Sequence, residues 1–179
     1  MIKKKSSNSQ VDTLFIPNDL PIMVSSCLLG CHCRYDGGES SYPGIIRFFY
    51  FANIIPFCPE QLGGLPTPRH PADIVGGDGH DVLAGRARVV SEIGEDVTKA
   101  FIKGAEESLN LARLAGARVV LFKDKSPSCG LRTPYCDKST GPGPGVTAAL
   151  LDSSGIKTTD IHPEDNPPLP NFLELISKQ

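Results

Sequence analysis

The chain has 179 residues, with 18 Lys and Arg against 20 Asp and Glu, a formal net charge of −2 and 40% hydrophobic residues. That length suits one compact domain, and the hydrophobic fraction can fill a core, which disfavours a disordered chain. No apolar run approaches the roughly 20 residues of a membrane helix, and the near-neutral charge disfavours general nucleic-acid binding, duplexes included. We expect a soluble globular protein with a small or neutral ligand.

The amino terminus and the cysteines together predict a cytoplasmic protein. Residues 1–10 contain three lysines followed by polar residues and lack the apolar core of a secretory signal peptide. In a reducing compartment, cysteines are more often metal ligands, catalytic groups or core residues than disulfides. Six cysteines would permit three bridges, but that interpretation requires an oxidising compartment. They are Cys27, Cys31, Cys33, Cys58, Cys129 and Cys136.

The first part of the chain predicts an extension followed by ordered structure. Residues 1 to about 20 are polar and end near a proline, so we predict a mobile amino-terminal extension over 1–20. Order is expected from Pro21, and the remaining length predicts a single α/β domain over 21–179.

Three short apolar runs predict buried strands that each deliver a cysteine at or just beyond the carboxyl end. The runs and their cysteines are 22–24 with Cys27, 54–57 with Cys58 and 119–122 with Cys129. In open α/β sheets, ligands bind outside the carboxyl ends of the strands. The pattern therefore places the three cysteines at a ligand site.

Helices alternate with these strands in the second half of the chain. Residues 95–115 begin with acidic side chains, carry apolar residues at helical spacing and are followed by Gly116 and a strand. Residues 146–151 repeat this pattern, with Gly155 before a further strand that starts at Ile156. The order predicts an open, mainly parallel sheet flanked by helices on both faces, a Rossmann-like arrangement of three layers.

Glycine and proline mark the loops. Residues 63–79 and 133–145 contain too many of both for a helix or strand, so both are predicted as loops. Residues 163–170 form a proline-rich spacer, and 172–176 predict a short amphipathic helix.

The strongest chemical pattern is the set of Cys27, Cys58 and Cys129, which are 31 and 71 residues apart. Cys58 precedes a proline, and Cys129 precedes a glycine, so the backbone beside these sulfurs is held open. Three converging thiolates suit an iron–sulfur cluster with one iron free of protein ligands, or a catalytic zinc with an open position. Each cysteine alone could equally be a small buried hydrophobe. A compact metal clip of Cys27, Cys31 and Cys33, as in a zinc finger, is disfavoured because these ligands are crowded and no second cysteine pair is present.

Two further residues are candidates for acid–base chemistry. Glu60 follows Cys58 by two residues and could act as acid or base beside a cluster, or it could be a surface glutamate at a helix start. Ser126 precedes Cys129 by three residues and could orient a substrate or relay a proton, or it could form a turn. Ser128 has the same ambiguity. The histidines show no metal-site spacing and are expected to be solvated: His32, His70, His80 and His162.

Several blocks of the sequence, taken together, resemble the bacterial thiouracil desulfidase family, long catalogued as a domain of unknown function. The resemblance extends from about residue 21 to 161. The blocks are Ser-Cys-Leu-Leu-Gly at 26–30, Cys-Arg-Tyr-Asp-Gly at 33–37, Cys-Pro-Glu at 58–60, Leu-Gly-Gly-Leu-Pro-Thr-Pro-Arg at 62–69, Gly-Gly-Asp-Gly at 76–79, Ser-Pro-Ser-Cys-Gly at 126–130 and Gly-Val-Thr-Ala-Ala-Leu at 145–150.

The resemblance implies a single α/β domain that binds an oxygen-sensitive 4Fe-4S cluster through Cys27, Cys58 and Cys129. It implies that the free iron takes the thiocarbonyl sulfur of a small-molecule substrate, which would be thiouracil, 4-thiouridine or 4-thiouridylate. Glu60 and Ser126 correspond to the family's proposed catalytic residues. The reaction would be redox-neutral and would give uracil and hydrogen sulfide.

The chain departs from the family pattern at two places, which bear on the substrate pocket and leave the cluster ligands unchanged. Cys31 and His32 stand where the family usually has apolar or small residues followed by proline, and the loop 133–143, with Cys136, is shorter and differently composed. Cys33 also lies in a family block, and it is the alternative to Cys27 as a cluster ligand. The alternatives to a desulfidase are a noncatalytic iron–sulfur or metal-binding protein and a zinc-dependent hydrolase that uses the same thiolates.

Overall fold

The computed structural model describes residues 20–42, 45, 53–137 and 141–161. Residues 1–19 of the predicted extension lie outside these ranges. The predicted spacer at 163–170, the predicted helix at 172–176 and the rest of the predicted domain after residue 161 also lie outside them. The strands are β1 Pro21–Ser25, β2 Asn53–Phe57, β3 Ala72–Val75, β4 Arg88–Ser91, β5 Val119–Lys123 and β6 Lys157–Ile161. The helices are α1 Pro59–Leu62, α2 Gly79–Leu83, α3 Thr98–Ala115 and α4 Val146–Ser153, with a 3-10 helix at Ser26–Leu29.

A parallel sheet forms the centre of the described structure, as predicted. Its strands lie in the order β2-β1-β5-β6, and all three neighbouring pairs are parallel. Ile22 pairs with Ile54 on one side and with Val119 on the other. The continuous apolar runs of β1 and β5 are typical of strands covered on both faces. The predicted fold class is confirmed.

The two faces of the sheet are covered by different elements. Met23 and Phe122 point to the face on which α3 and α4 pack, where they join Leu109 and Leu151 in one core. Neighbouring strand residues point to opposite faces, so Ile22, Val24 and Leu121 belong to the other core. In the described part of the chain, that second face is contacted by Leu28 of the 3-10 helix and by Ile45.

The predicted long helix is present, but it starts later than expected. We expected it over 95–115, and α3 begins at Thr98. Glu95 instead closes a turn after β4, because its amide donates to Ser91 Oγ at 3.0 Å and its carbonyl accepts from the Ser91 amide at 2.9 Å. Gly116 ends the helix at φ 66°, a left-handed conformation that favours glycine.

The loop prediction for 63–79 is wrong in its second half. β3 lies within that range and pairs antiparallel with β4, and α2 begins at Gly79. Ile74 is the only fully covered residue among the four of β3, so the strand lacks the apolar run that identifies a buried strand. The other predicted loop, 133–145, contains no helix or strand in its described residues.

α1 packs against α3 through two glycines. A Cβ at Gly104 would lie 2.1 Å from the Pro59 carbonyl oxygen, and a Cβ at Gly63 would lie 2.1 Å from that of Ala100. Only glycine permits backbones to approach this closely. The contact fixes the position of α1, the short helix that carries Glu60.

We expect Gly104→Ala to destabilise the protein by about 1–3 kcal/mol, because the added methyl overlaps the Pro59 carbonyl. Helix propensity favours alanine by up to about 1 kcal/mol, so a net loss isolates the clash. The free energy of unfolding, from urea titration, is the measurement. Asn110→Ala, on the exposed side of the same helix, is the control and is expected within about 0.5 kcal/mol of wild type. Equal stability of the Gly104→Ala protein would contradict this packing.

None of the helices in the described residues is both long and apolar enough to cross a membrane.

Candidate active site

The structure brings Cys27, Cys58 and Cys129 to one cavity of about 240 Å³. Cys27 lies in the 3-10 helix directly after β1, Cys58 follows the last residue of β2, and Cys129 lies in the loop after β5. These strands are neighbours in the sheet, in the order β2-β1-β5. The carboxyl ends of adjacent parallel strands thus deliver three thiols to one site.

Cys33 contributes a fourth thiol to the same cavity. It is buried, and its carbonyl accepts a hydrogen bond from Cys58 Sγ at 3.8 Å. A hydrogen bond with the Cys27 thiol, with a smaller contribution from burial, raises the pKa of Cys33 to about 11. Cys27 and Cys33 therefore both remain candidates for a ligand position, because both line the same cavity.

Cys58 and Cys129 also hold their protons tightly. A hydrogen bond with the Cys33 side chain and burial raise the pKa of Cys58 well above its usual range. Burial, followed by the nearby charge of Cys58, raises the pKa of Cys129 in the same direction. Because iron binds thiolates, uptake of a metal centre by these groups would release protons.

The other two cysteines lie outside the cavity lining. Cys31 is exposed. Cys136 Sγ donates to the Thr133 carbonyl at 3.3 Å and accepts from the Gly143 amide at 3.4 Å, so it ties together the two ends of the glycine- and proline-rich loop. The structure thus disfavours a compact metal clip that includes Cys31.

Glu60 lies in the first turn of α1 and lines the cavity. Its Oε2 accepts from Arg69 Nε at 2.6 Å, and the two side chains are only 16% and 7% exposed. The Arg69 guanidinium also donates to the Cys33 carbonyl at 3.0 Å. Glu60 is therefore not a surface glutamate. Its partner Arg69 ends the sequence block at 62–69, but the sequence alone indicated no role for it.

Ser126 both forms a turn and lines the cavity. Its Oγ accepts from the amides of Ser128 and Cys129, each at 3.1 Å, so it fixes the backbone that carries Cys129. The hydroxyl proton remains available to a group in the cavity. Ser128 is buried against Thr147 Oγ1 at 2.9 Å and does not line the cavity, which gives it a packing role.

The resemblance to thiouracil desulfidases implies sulfide release, and we expect Ser126→Ala to lower its rate by about 10-fold or more. The reason is that two amides near Cys129 lose their acceptor and the cavity loses a hydroxyl. Sulfide release by the iron-loaded protein, with its visible absorbance, is the measurement. Ser128→Ala is the control, since its hydroxyl points to α4, and it should retain the activity of wild type within about threefold. An unchanged rate in Ser126→Ala would remove Ser126 from the site.

The Gly-Gly-Asp-Gly segment at 76–79 packs against the start of α4 and thereby supports the site. The Gly77 amide donates to Asp137 Oδ1 at 3.0 Å, and Asp78 caps α2. A Cβ at Gly79 would lie 2.4 Å from the Gly145 carbonyl oxygen, and a Cβ at Gly145 would lie 2.6 Å from that of Pro127. These close contacts press the start of α4 against the loop that carries Cys129.

Further polar and aromatic residues complete the cavity lining, and no local motif singled most of them out. Ser25, at the end of β1, is buried, and its Oγ accepts from the Lys123 amide at 3.1 Å. A hydrogen bond from Ser25 partly offsets the effect of burial on the pKa of Cys129. The other lining residues of this kind are Ser26, Arg34, Tyr35, Phe57, Asp73, Lys123, Lys125 and Tyr135. The described histidines, His32, His70 and His80, are exposed as predicted, and His162 lies outside the described residues.

Comparison with known proteins assigns a family to this arrangement. A model of the 2-thiouracil desulfurase family matches residues 22–162. The chain belongs to this family. All residues of the cavity lining, from Ser25 to Tyr135, lie within the matched range.

Two relatives show how far the family likeness extends. YbbK of Bacillus subtilis (strain 168) is 44% identical over 139 residues, which are 76% of this chain and 92% of that protein. A solved structure described as the 4Fe-4S-dependent thiouracil desulfidase TudS (DUF523Vcz) is 35% identical and superposes with a TM-score of 0.68. That match covers 89% of this chain and 96% of the other. The resemblance seen in the sequence blocks is confirmed for the family and for the fold.

Proposed function

We propose that this protein is a thiouracil desulfidase. It removes the thiocarbonyl sulfur of a thiolated uracil, with a 4Fe-4S cluster held by Cys27, Cys58 and Cys129. The observation that carries the proposal is that these three thiols and the Glu60 carboxylate line one cavity in a chain of the 2-thiouracil desulfurase family. The 4Fe-4S dependence of TudS, at 35% identity, supports the choice of cofactor.

The residues present fit such a cluster. Thiolates are its usual ligands, and the cavity offers three at the ends of adjacent strands, with Cys33 as a fourth nearby thiol. A volume of about 240 Å³ is many times the roughly 10–15 Å³ that a single water needs, so the cavity suits a group of many atoms. The cluster would lie at the carboxyl ends of β2, β1 and β5, where open α/β sheets bind ligands.

A single zinc ion fits the described residues less well. No group of three His, Cys, Asp or Glu side chains in the described ranges is arranged to hold one metal ion. A cluster contacts each cysteine through a different iron, so its ligands need not meet at one point. The metal content of the loaded protein separates the iron–sulfur proposal from the zinc-dependent hydrolase.

A cluster held by Cys27, Cys58 and Cys129 would supply a Lewis-acidic iron that polarises the thiocarbonyl group of the substrate. The protein's own groups handle water and protons. Glu60, fixed through Oε2, accepts a proton from the water that attacks the thiocarbonyl carbon. The Ser126 hydroxyl orients the pyrimidine or passes the proton on. One water is consumed, the C=S group becomes C=O, and hydrogen sulfide leaves without net transfer of electrons.

The charges in the cavity lining favour a particular form of the substrate. Arg34, Lys123 and Lys125 line it, against the carboxylates of Glu60 and Asp73, and Arg69 pairs with Glu60. Outside the lining, Arg34 pairs with Asp36, and the two lysines share Asp124. Cationic side chains at a cavity favour an anionic ligand. Among thiouracil, 4-thiouridine and 4-thiouridylate, we therefore propose that the nucleotide is used best.

Anaerobic reconstitution with iron and sulfide tests the proposed function. The loaded protein should be brown, contain about four iron atoms per chain as a 4Fe-4S cluster requires, and release sulfide from 4-thiouracil and 4-thiouridylate. A brown protein that releases no sulfide from either compound would leave a noncatalytic cluster protein. A colourless, air-stable protein that contains zinc would support the hydrolase instead.

A further inference from the structure

Arg69 makes an unusually complete set of contacts for an arginine at the edge of a cavity. Its side chain is 7% exposed and donates from Nε to Glu60 Oε2 at 2.6 Å. A second guanidinium nitrogen donates to the Cys33 carbonyl at 3.0 Å, and the third to the Pro66 carbonyl at 3.1 Å and to Thr67 Oγ1 at 3.2 Å. Every nitrogen of the guanidinium therefore has an acceptor.

These contacts restrain the side chain of Glu60, in addition to the restraint that its helix places on its backbone. The backbone of Glu60 is fixed by the packing of α1 on α3 at Gly104, and its side chain is fixed by Arg69 through one carboxylate oxygen. A charge-assisted bond at 2.6 Å is short and strong. Only Oε2 is used in this bond, so Oε1 remains to accept from a group in the cavity.

We propose that Arg69 is a positioning residue of the reaction: it holds the Glu60 carboxylate in one orientation so that its free oxygen meets the attacking water. The proposal rests on the proposed function for its catalytic part. Its geometric part, that Arg69 sets the position of the Glu60 carboxylate, stands on the contacts alone.

The planar fork of arginine is essential to this role. One guanidinium spans Glu60 and the Cys33 carbonyl with fixed angles, and it thereby links α1 to the segment that carries Cys33 and Tyr35. A lysine ammonium is a point donor on a flexible chain and cannot reproduce both bonds in one orientation. Misplacement of a catalytic group by about 1 Å can cost about 100-fold in rate.

Steady-state kinetics of the iron-loaded protein tests the catalytic part with three variants. We expect Arg69→Ala and Arg69→Lys to lower kcat by about 10- to 100-fold, with KM within about threefold and cluster absorbance unchanged. Guanidinium ion added to Arg69→Ala should restore part of kcat. Thr67→Val is the matched control, because it removes another acceptor of the same guanidinium and leaves the bond to Glu60, and it should keep wild-type kcat within about threefold.

A double variant separates positioning from general stabilisation. If Arg69 acts through Glu60, then Glu60→Gln combined with Arg69→Ala should be no slower than Glu60→Gln alone, and guanidinium ion should not rescue it. Losses that multiply in the double variant, or a Thr67→Val protein as slow as Arg69→Ala, would overturn the proposal. Where Arg69→Ala does not fold, Arg69→Lys takes its place in the same comparison.

A crystal structure of the Arg69 variant decides the geometric part without any activity. The Glu60 carboxylate should leave the position that it has in the wild-type protein, and an unmoved carboxylate would overturn the proposal. If the wild-type loaded protein releases no sulfide, the proposed function fails, and a displaced carboxylate in the variant would still support Arg69 as the residue that positions Glu60.

Discussion

Replacing Cys58 by alanine should abolish both cluster loading and sulfide release. Cys58 follows β2 directly, and its sulfur lies in the cavity with those of Cys27 and Cys129, so its loss removes one of three proposed ligands. Two thiolates are too few to hold a 4Fe-4S cluster that already has one iron without a protein ligand. We expect less than about one tenth of the wild-type iron content, and sulfide release below detection.

The measurement is iron and sulfide per chain after anaerobic reconstitution, with the visible spectrum and the sulfide-release rate. Cys31→Ala is the matched control, because Cys31 is an exposed cysteine near Cys33 that does not line the cavity. It should load and turn over as wild type does. A Cys58→Ala protein that keeps a full cluster would remove Cys58 from the ligand set.

The Cys33→Ala variant tests whether Cys33 or Cys27 is a ligand of the cluster. Cys33 is buried beside Cys27 and Cys58 and hydrogen-bonds both side chains, so the structure alone gives it access to the same centre. With Cys27, Cys58 and Cys129 as ligands, its alanine variant should still form the cluster. If Cys33→Ala loses the cluster and Cys27→Ala retains it, Cys33 would replace Cys27 as the ligand.

The sequence predicted the thiol cluster well because the strands that carry it are short and apolar. The expectation that all three are buried is wrong for β2, which lies at the edge of the described sheet and buries only Phe57. Each of β1, β2 and β5 is recognisable from local composition, and parallel pairing then brings their carboxyl ends to one edge. The sequence did not predict the antiparallel pair of β3 and β4, because β3 is only four residues long and mostly exposed or half-buried. Its surroundings are rich in glycine and proline, which resembles a loop.

The polar part of the site was predicted less completely because it depends on contacts between distant segments. The bond from Arg69 to Glu60 spans a proline-rich turn, and the second bond from Arg69 reaches the carbonyl of Cys33, 36 residues away. No periodicity or spacing encodes such a pair. Ser126 illustrates a different difficulty: the turn-forming and the cavity-lining interpretations were treated as alternatives, and its hydroxyl does both.

The second large effect is expected for Glu60→Gln, which should keep the cluster and lose turnover. The substitution preserves the size and shape of the side chain, and Arg69 can still donate to the amide oxygen, so α1 should stay in place. It removes the carboxylate that we propose accepts a proton from water. Loss of a general base lowers rates by about 10²- to 10⁴-fold, and we expect kcat to fall within that range.

The cluster absorbance distinguishes a loss of catalysis from a loss of the cluster. A Cys58→Ala protein loses colour and rate together, whereas Glu60→Gln should lose the rate with the wild-type spectrum and iron content, because a carboxamide in place of Glu60 leaves all the cavity thiols intact. Glu106→Gln, on the exposed side of α3, controls for the change in net charge and should turn over as wild type does. If Glu60→Gln retains more than about half of the wild-type rate, the proton must be accepted elsewhere in the cavity, and Asp73, the other carboxylate of its lining, becomes the residue to replace next.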